Sequence, residues 1–348
     1  MTTIAITGVA GLIGRRLAAA LSAREDVDRL LGFDVRMPTG LNANGVGFRN
    51  LDVRDPGLPS ALAGVDVLVH LAFRMDPLRD EVEMRAQNVD GTRNVFQAAA
   101  AAGVEHVVYP SSVAVYGAHR DNDFPLTEQS LLRGTPGYNY SEHKCEIERW
   151  LWPWLEEHPD LGVSVLRFGL VAGPGVENYF SRIIEMPRLP AVRGHRPPLQ
   201  FVHLDDTVAA ILHAIDQRLP GAYNVCAEGW LSYDEVAAIA GRRILELPEE
   251  VAFAVFDRAW RLGLSEHPPG LVWHLMHPWV MSPAKLIETG WSPSRTNRDA
   301  IADLAGEHRS HVVLGRLRLR RSAVRAAALG AASAAGLAAI TRLRRRRR

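Results

Sequence analysis

The run Thr7-Gly8-Val9-Ala10-Gly11-Leu12-Ile13-Gly14 decides the fold. Ile4-Ala5-Ile6-Thr7 reads as a buried strand, and Leu12 to Ala23 reads as a helix by its apolar spacing. Glycines three apart between a strand and a helix have a physical use. Gly8 allows the tight turn, Gly11 lets a pyrophosphate approach the backbone, and Gly14 lets helix and strand pack closely. The free N–H groups of the helix N-terminus then face the phosphates. The Gly8-x-x-Gly11-x-x-Gly14 spacing departs from the commoner G-x-G-x-x-G.

Working outward, Leu30-Leu31-Gly32-Phe33-Asp34 and the stretches 46–51, 65–72, 105–109 and 163–168 read as further strands. Helices are expected over 81–102 and 138–157, with Pro153 kinking the second. Near-continuous apolar strands alternating with helices predict a parallel sheet covered on both faces. Beyond Gly173-Pro174-Gly175 the pattern loosens, prolines mark loops, and 205–217 and 233–242 read as helices. The expected fold is α/β: a Rossmann-type doubly wound parallel sheet with a smaller C-terminal substrate lobe. The expected divisions are a nucleotide-binding domain at 1–172, a lobe at 173–307 with some segments returning to the sheet, and a tail at 308–348.

Asp34 ends the second strand, 20 residues after Gly14. A carboxylate there accepts hydrogen bonds from both ribose hydroxyls and repels a 2′-phosphate, so NAD is expected over NADP. Arg36 pulls the other way, since an arginine accommodates a phosphate. Asp52 ends the third strand and reads either as an adenine contact or as a turn cap.

Tyr140 and Lys144 lie one helical turn apart on a shared face. An ammonium beside a phenol favours phenolate, so Lys144 is expected to lower the pKa of Tyr140 and make it a general acid or base. Ser112 closes the fifth strand and offers a hydroxyl to the reacting oxygen; Ser111 is its rival.

These motifs resemble the extended short-chain dehydrogenase/reductases. The likeness adds His70-Leu71-Ala72, Asn88-Val89-x-Gly91-Thr92, Ser111-Ser112-x-x-Val115-Tyr116-Gly117, Leu166-Arg167, Phe201-Val202-His203-Leu204-Asp205-Asp206 and Tyr223-Asn224-Val225. It is strongest for the NAD-dependent epimerase/dehydratase branch, which includes UDP-galactose 4-epimerase-like enzymes. The resemblance implies Ser112, Tyr140 and Lys144 as catalytic residues, Ser112 because it lies five residues before Gly117. It implies NAD held by Gly8, Gly11, Leu12, Ile13, Gly14, Asp34, Asp52, Val53, Leu71, Ala72, Asn88, Tyr140 and Lys144. It also implies a substrate hydroxyl oxidised on a sugar nucleotide or related sugar. A dehydrogenase or reductase of a non-sugar alcohol, or a non-catalytic NAD-binding regulator, are the alternatives. Two positions depart from nucleotide-sugar enzymes: Gln200 stands where an arginine is usual, and Phe168-Gly169-Leu170-Val171 lacks an asparagine.

The chain has 348 residues, 47% of them hydrophobic and 23% charged, as in soluble globular proteins. Cys145 and Cys226 make no disulfide framework, and Met1-Thr2-Thr3 leads straight into a strand, so a reduced, cytoplasmic setting is expected. His267, His274 and His277 sit among Trp273, Pro278 and Trp279 and read as packing residues rather than metal ligands. The net charge of +1 hides an asymmetry, with 12 arginines and no acid from His308 to Arg348 and −11 on residues 1–307. Within that tail Ala326 to Thr341 is alanine-rich and uncharged. A solvated or surface helix ranks first there, peripheral contact with anionic membrane second, and nucleic-acid binding low. A small-molecule substrate and a homodimer complete the expected partners.

Overall fold

The computed structural model describes residues 2–38, 45–75, 78, 80–308, 311–314 and 317–320. The alanine-rich stretch and the final arginines lie outside the described residues.

The first half runs β1 (Thr2–Thr7), α1 (Leu12–Ser22), β2 (Val27–Asp34), β3 (Val46–Asn50), α2 (Leu58–Ala61), β4 (Val67–His70), α3 (Glu81–Arg85), α4 (Gly91–Ala102), β5 (His106–Ser112), α5 (Asn139–Glu156) and β6 (Gly162–Phe168). It continues as β7 (Leu170–Ala172), α6 (Tyr179–Glu185), β8 (Arg188–Val192), β9 (Phe201–His203), α7 (Leu204–Gln217), β10 (Gly221–Val225), α8 (Tyr233–Ala240), β11 (Arg243–Leu247) and α9 (Glu249–Arg261). Then come α10 (Leu271–His274), α11 (Ala284–Ile287), α12 (Asn297–His308), β12 (His311–Leu314) and β13 (Leu317–Arg320).

Seven parallel strands form the main sheet in the order β10-β6-β5-β4-β1-β2-β3. Strand alternation divides the core into two layers. Ile4, Ile6, Val67 and Val69 pack with Leu17 and Leu21 of α1 and Ile211 and Ile215 of α7. Ala5, Leu68 and Val107 pack with Val95 and Phe96 of α4 and Ile147 and Leu151 of α5. Strand order reverses between β1 and β4, and the crevice beyond the strand ends at such a switch point is where ligands bind in these sheets. Two-stranded pairs β7–β9 and β8–β11 lie in the later chain, while β10 rejoins the main sheet.

Three local features add detail to the expected pattern. The helix expected over 81–102 is broken by a π-helical turn at Ala86–Asp90. Pro153 lies in the last turn of α5, which runs on to Glu156. The expected tail begins inside the folded body: His308 is buried, bonded to Glu185 and to the Val176 carbonyl, and an antiparallel β12–β13 hairpin follows. Among the described residues no helix is long and apolar enough to cross a membrane.

Burial pushes His70 and His274 down to about 3 and His106 to about 4, each from 6.5. Unfolded imidazoles take up protons below pH 6.5 while these three do not. Their stabilising contribution is therefore whole above 6.5 and is lost as pH falls toward 4. Unfolding in urea should show a midpoint that drops steadily from pH 7 to 4.5; a flat midpoint would contradict the buried neutral state.

Candidate active site

The glycine-rich turn joins β1 to α1 at the switch point. Gly8 has φ +72°, and a Cβ on it would lie 2.6 Å from the Ala72 nitrogen and 2.7 Å from the Leu71 carbonyl carbon. A Cβ on Gly14 would lie 2.5 Å from the Gly8 oxygen, so Gly14 fixes the close approach of helix and turn. Gly11 is the N-cap of α1 and supplies no side-chain cap, which leaves first-turn N–H groups for an outside acceptor. Leu12 and Ile13 follow, half-buried. Gly175 of the β7–α6 loop lies over this turn, its Cβ position 3.4 Å from Leu12.

Asp34 ends β2 beside the turn. One carboxylate oxygen accepts from the Ala10 N–H at 3.0 Å and the other from the Arg36 N–H at 2.9 Å. Each oxygen keeps acceptor capacity for a further donor. The Arg36 guanidinium stays 75% exposed at 3.8 Å from the carboxylate.

Asp52 is bonded by the Arg54 backbone N–H, Nε and Nη2, which hold its pKa below the usual range. The turn-cap reading thus describes its present bonds. Val53 packs on Gly91 and accepts from the Asn94 amide. Leu71 and Ala72 bond back to Thr7. Asn88 is fully buried and grips Arg74 from both sides, accepting from its N–H at 2.8 Å and donating to its carbonyl at 3.0 Å. Its amide therefore shapes the loop after β4.

Ser112 closes β5 and its hydroxyl accepts from the Ala114 N–H. It also eases ionisation of the Tyr140 phenol, lowering a pKa that burial raises. Ser111 instead donates to Glu148 at 2.6 Å, so Ser112 is the serine that faces the tyrosine.

The Lys144 ammonium is 3% exposed. It lies 3.7 Å from the centre of the Phe73 ring and 4.5 Å from that of Tyr109. It donates to the Tyr109 hydroxyl at 3.1 Å and to the Pro110 carbonyl at 2.7 Å. Burial pushes Lys144 down to about 7, against the pull of Glu148. Tyr140 departs from expectation. Burial raises its pKa, and the opposing influence is the Ser112 hydroxyl rather than Lys144. The physical reason is the direction of the ammonium, whose donors are turned to Tyr109 and Pro110.

Sequence reasoning missed the slot made by Phe73 and Tyr109, and also the Glu148–Arg167 pair beneath it. Arg167 donates through Nε and Nη2 to Glu148, the shortest bond being 2.6 Å, and through Nη1 to Tyr116. The legible signal was Glu148 four residues beyond Lys144 on the same helix face. Gln200 is also occupied: its amide N–H groups reach the carbonyls of Ala227, Gly229 and Met281, and its oxygen accepts from the Met281 N–H. A small cavity of about 10 Å³ lies among Val113, Gly169, Pro198, Gln200, Trp279 and Val280. His274 packs edge-on against Tyr138 and Trp279, and His277 stacks on Trp273.

The family model described as NAD dependent epimerase/dehydratase family matches residues 4–226. The uncharacterized protein Rv0501 of Mycobacterium tuberculosis is 25% identical over 309 residues, covering 86% of this chain and 82% of that protein. Short-chain dehydrogenase/reductase family 42E member 1 of Xenopus laevis is 28% identical over 227 residues, 62% of this chain and 58% of that one. Among solved structures, the UDP-glucose 4-epimerase of Thermus thermophilus in complex with NAD shares the fold with a TM-score of 0.66. It is 23% identical, and the match covers 88% of this chain and 99% of that one.

Proposed function

Because the chain belongs to the NAD dependent epimerase/dehydratase family, we propose that it oxidises a secondary hydroxyl of a sugar nucleotide or related sugar by hydride transfer to NAD. The observation that carries this reading is the grouping at the end of β5 of Ser112, whose hydroxyl eases ionisation of the Tyr140 phenol, with the Lys144 ammonium fixed one helical turn away. The residues present fit the cofactor. The turn at Gly8 is a cradle that a side chain would fill, the α1 N-terminus offers free N–H groups, and Asp34 keeps acceptor capacity beside them.

Gly8, Gly11 and Gly14 would admit the pyrophosphate, and Asp34 would hold the adenosine ribose. NAD, when bound, supplies the hydride acceptor for the carbon bearing the hydroxyl. Ser112 holds the substrate oxygen by a hydrogen bond. Tyr140, as phenolate, takes the hydroxyl proton at its Oη, leaving a carbonyl. Burial excludes water from the phenol and keeps it protonated at rest, while Ser112 eases ionisation. The Lys144 ammonium is turned to Tyr109 and Pro110 at rest; swung toward Tyr140 it would favour the phenolate, because fields act strongly at low local dielectric.

A second reading, oxidation of a non-sugar secondary alcohol, rests on Gln200. Its amide is saturated by four backbone partners, and Val113, Pro198 and Val280 line the neighbouring cavity. Assays of NAD reduction and of epimer formation with UDP-sugars and with alicyclic secondary alcohols separate the two. Conversion of a UDP-sugar supports the first reading; conversion of alcohols alone replaces it with the second.

The cofactor preference is open to a direct measurement. NAD is expected to bind at least about tenfold more tightly than NADP, an effect of about 1.4 kcal/mol from the Asp34 carboxylate. Asp34→Ala should weaken NAD and shrink the gap. Tighter binding of NADP by the unaltered protein in calorimetry would assign the pocket to Arg36 instead.

A further inference from the structure

We propose that Glu148 is a positioning residue that keeps Lys144 in its ammonium form. The inference rests on the role given to Lys144 above, and its test requires no substrate. The slot around the ammonium is built from neutral groups. His70 of β4, the Phe73 ring, and Tyr109 and Pro110 of β5 face it, with Tyr140 one turn back on α5. Tyr109 and Tyr140 are phenols held protonated by burial, and His70 is held neutral by it. Among the described residues only Glu148, one turn forward on α5, brings a negative charge toward the slot.

That carboxylate is completely buried, and its place is fixed from two other strands. Arg167 of β6 donates Nε to both oxygens, at 3.2 and 3.0 Å, and Nη2 to one of them at 2.6 Å. Ser111 of β5 donates to the other at 2.6 Å. Arg167 is itself held by the Tyr116 hydroxyl and the Glu128 carbonyl, and Tyr116 by Asn224 of β10. A buried ion pair of this kind contributes little net stability, since the desolvation of both charges offsets their attraction. Its use here is a stationary anion one helical turn from a buried amine. Without it, burial drives Lys144 toward the neutral amine, which neither favours the phenolate nor donates three hydrogen bonds.

The sequence supplies a clean probe. The chain contains two lysines, Lys144 and Lys285. Lys285 donates to the Ala222 carbonyl at 2.7 Å and serves as internal reference. Full-length protein labelled with 13C at lysine Cε, titrated by NMR between about pH 5 and 11, should show Lys144 protonating well below the ordinary lysine range. In Glu148→Gln the Lys144 midpoint should fall by about one pH unit or more, with Lys285 unmoved. If Glu148→Gln does not fold, the pair Glu148→Gln with Arg167→Gln removes both charges together, and its Lys144 midpoint should still lie below that of the unaltered protein. A Lys144 midpoint unchanged in a folded variant overturns the proposal. Where a substrate is in hand, the alkaline limb of kcat/KM should move by the same interval. A purely structural Glu148 would lower the whole profile without moving that limb. Loss of the hydride-transfer reading would leave the NMR result standing, so the two fail separately.

Discussion

Tyr140→Phe should lower kcat by about three orders of magnitude, within the range that a positioned proton carrier contributes. NAD affinity should stay within about twofold, below about 0.5 kcal/mol. The substitution removes the Oη and leaves the ring, which sits edge-on to Phe73 with centroids 5.6 Å apart and tilted against Tyr138 at 5.8 Å. The Ser112 hydroxyl keeps the Ala114 N–H. No cavity opens and no charge is stranded, so the fold should be undisturbed. Initial rates on a genuine substrate and calorimetry with NAD supply the two readouts. A variant turning over at the unaltered rate would refute the proton role of Tyr140. One that lost NAD binding equally would make the ring a cofactor support rather than a base.

Gly8→Ala should cost far more stability than Gly103→Ala, and the comparison isolates a steric effect. Both glycines have nearly the same positive φ, +72° and +73°. At Gly103 a Cβ meets nothing within 4 Å. That substitution should therefore cost only the strain of a left-handed residue, about 1–2 kcal/mol. At Gly8 the same methyl would lie 2.6, 2.7 and 2.9 Å from backbone atoms of Leu71 and Ala72, none of which can swing aside as a side chain does. Separation of β1 from the β4 end is the relief available, and it dismantles the cradle. The expected cost is about 4 kcal/mol or more, in the range reserved for core disruption. NAD binding should be lost in whatever folded protein remains. Equal unfolding midpoints for the two variants would show that the turn at Gly8 is looser than described.

The sheet was legible because its strands are short apolar runs whose alternation survives in the sequence, and because turn glycines punctuate them. Gly8, Gly14 and Asp34 fell where the spacing put them. The lysine slot was not legible. Phe73, Tyr109 and Lys144 come from three separate elements and share no period, so only the folded chain brings them together. The direction of the Lys144 ammonium was likewise hidden: a four-residue spacing places two side chains on one face but does not say where the longer one points. Asn88 illustrates a different failure. Its residue type suits a ligand contact, yet the chain spends both ends of the amide on the backbone of Arg74. The lobe was the least legible part. Its small sheets pair strands from distant segments, β7 with β9 and β8 with β11, and no local pattern announces such partners.

The place of β10 beside β6 has a consequence for synthesis on the ribosome. β6 is complete at Phe168, but the strand that covers its outer edge begins at Gly221. About fifty residues must be added in the interval, which takes roughly 3–10 s at about 5–20 residues per second. During that time the nascent sheet carries an open row of backbone donors and acceptors along Gly162–Phe168, the kind of edge that recruits stray strands. The Val163, Val165 and Phe168 side chains make it an adhesive one. Slowing translation between residues 169 and 220 should therefore increase aggregation of the emerging chain while leaving the finished enzyme unchanged.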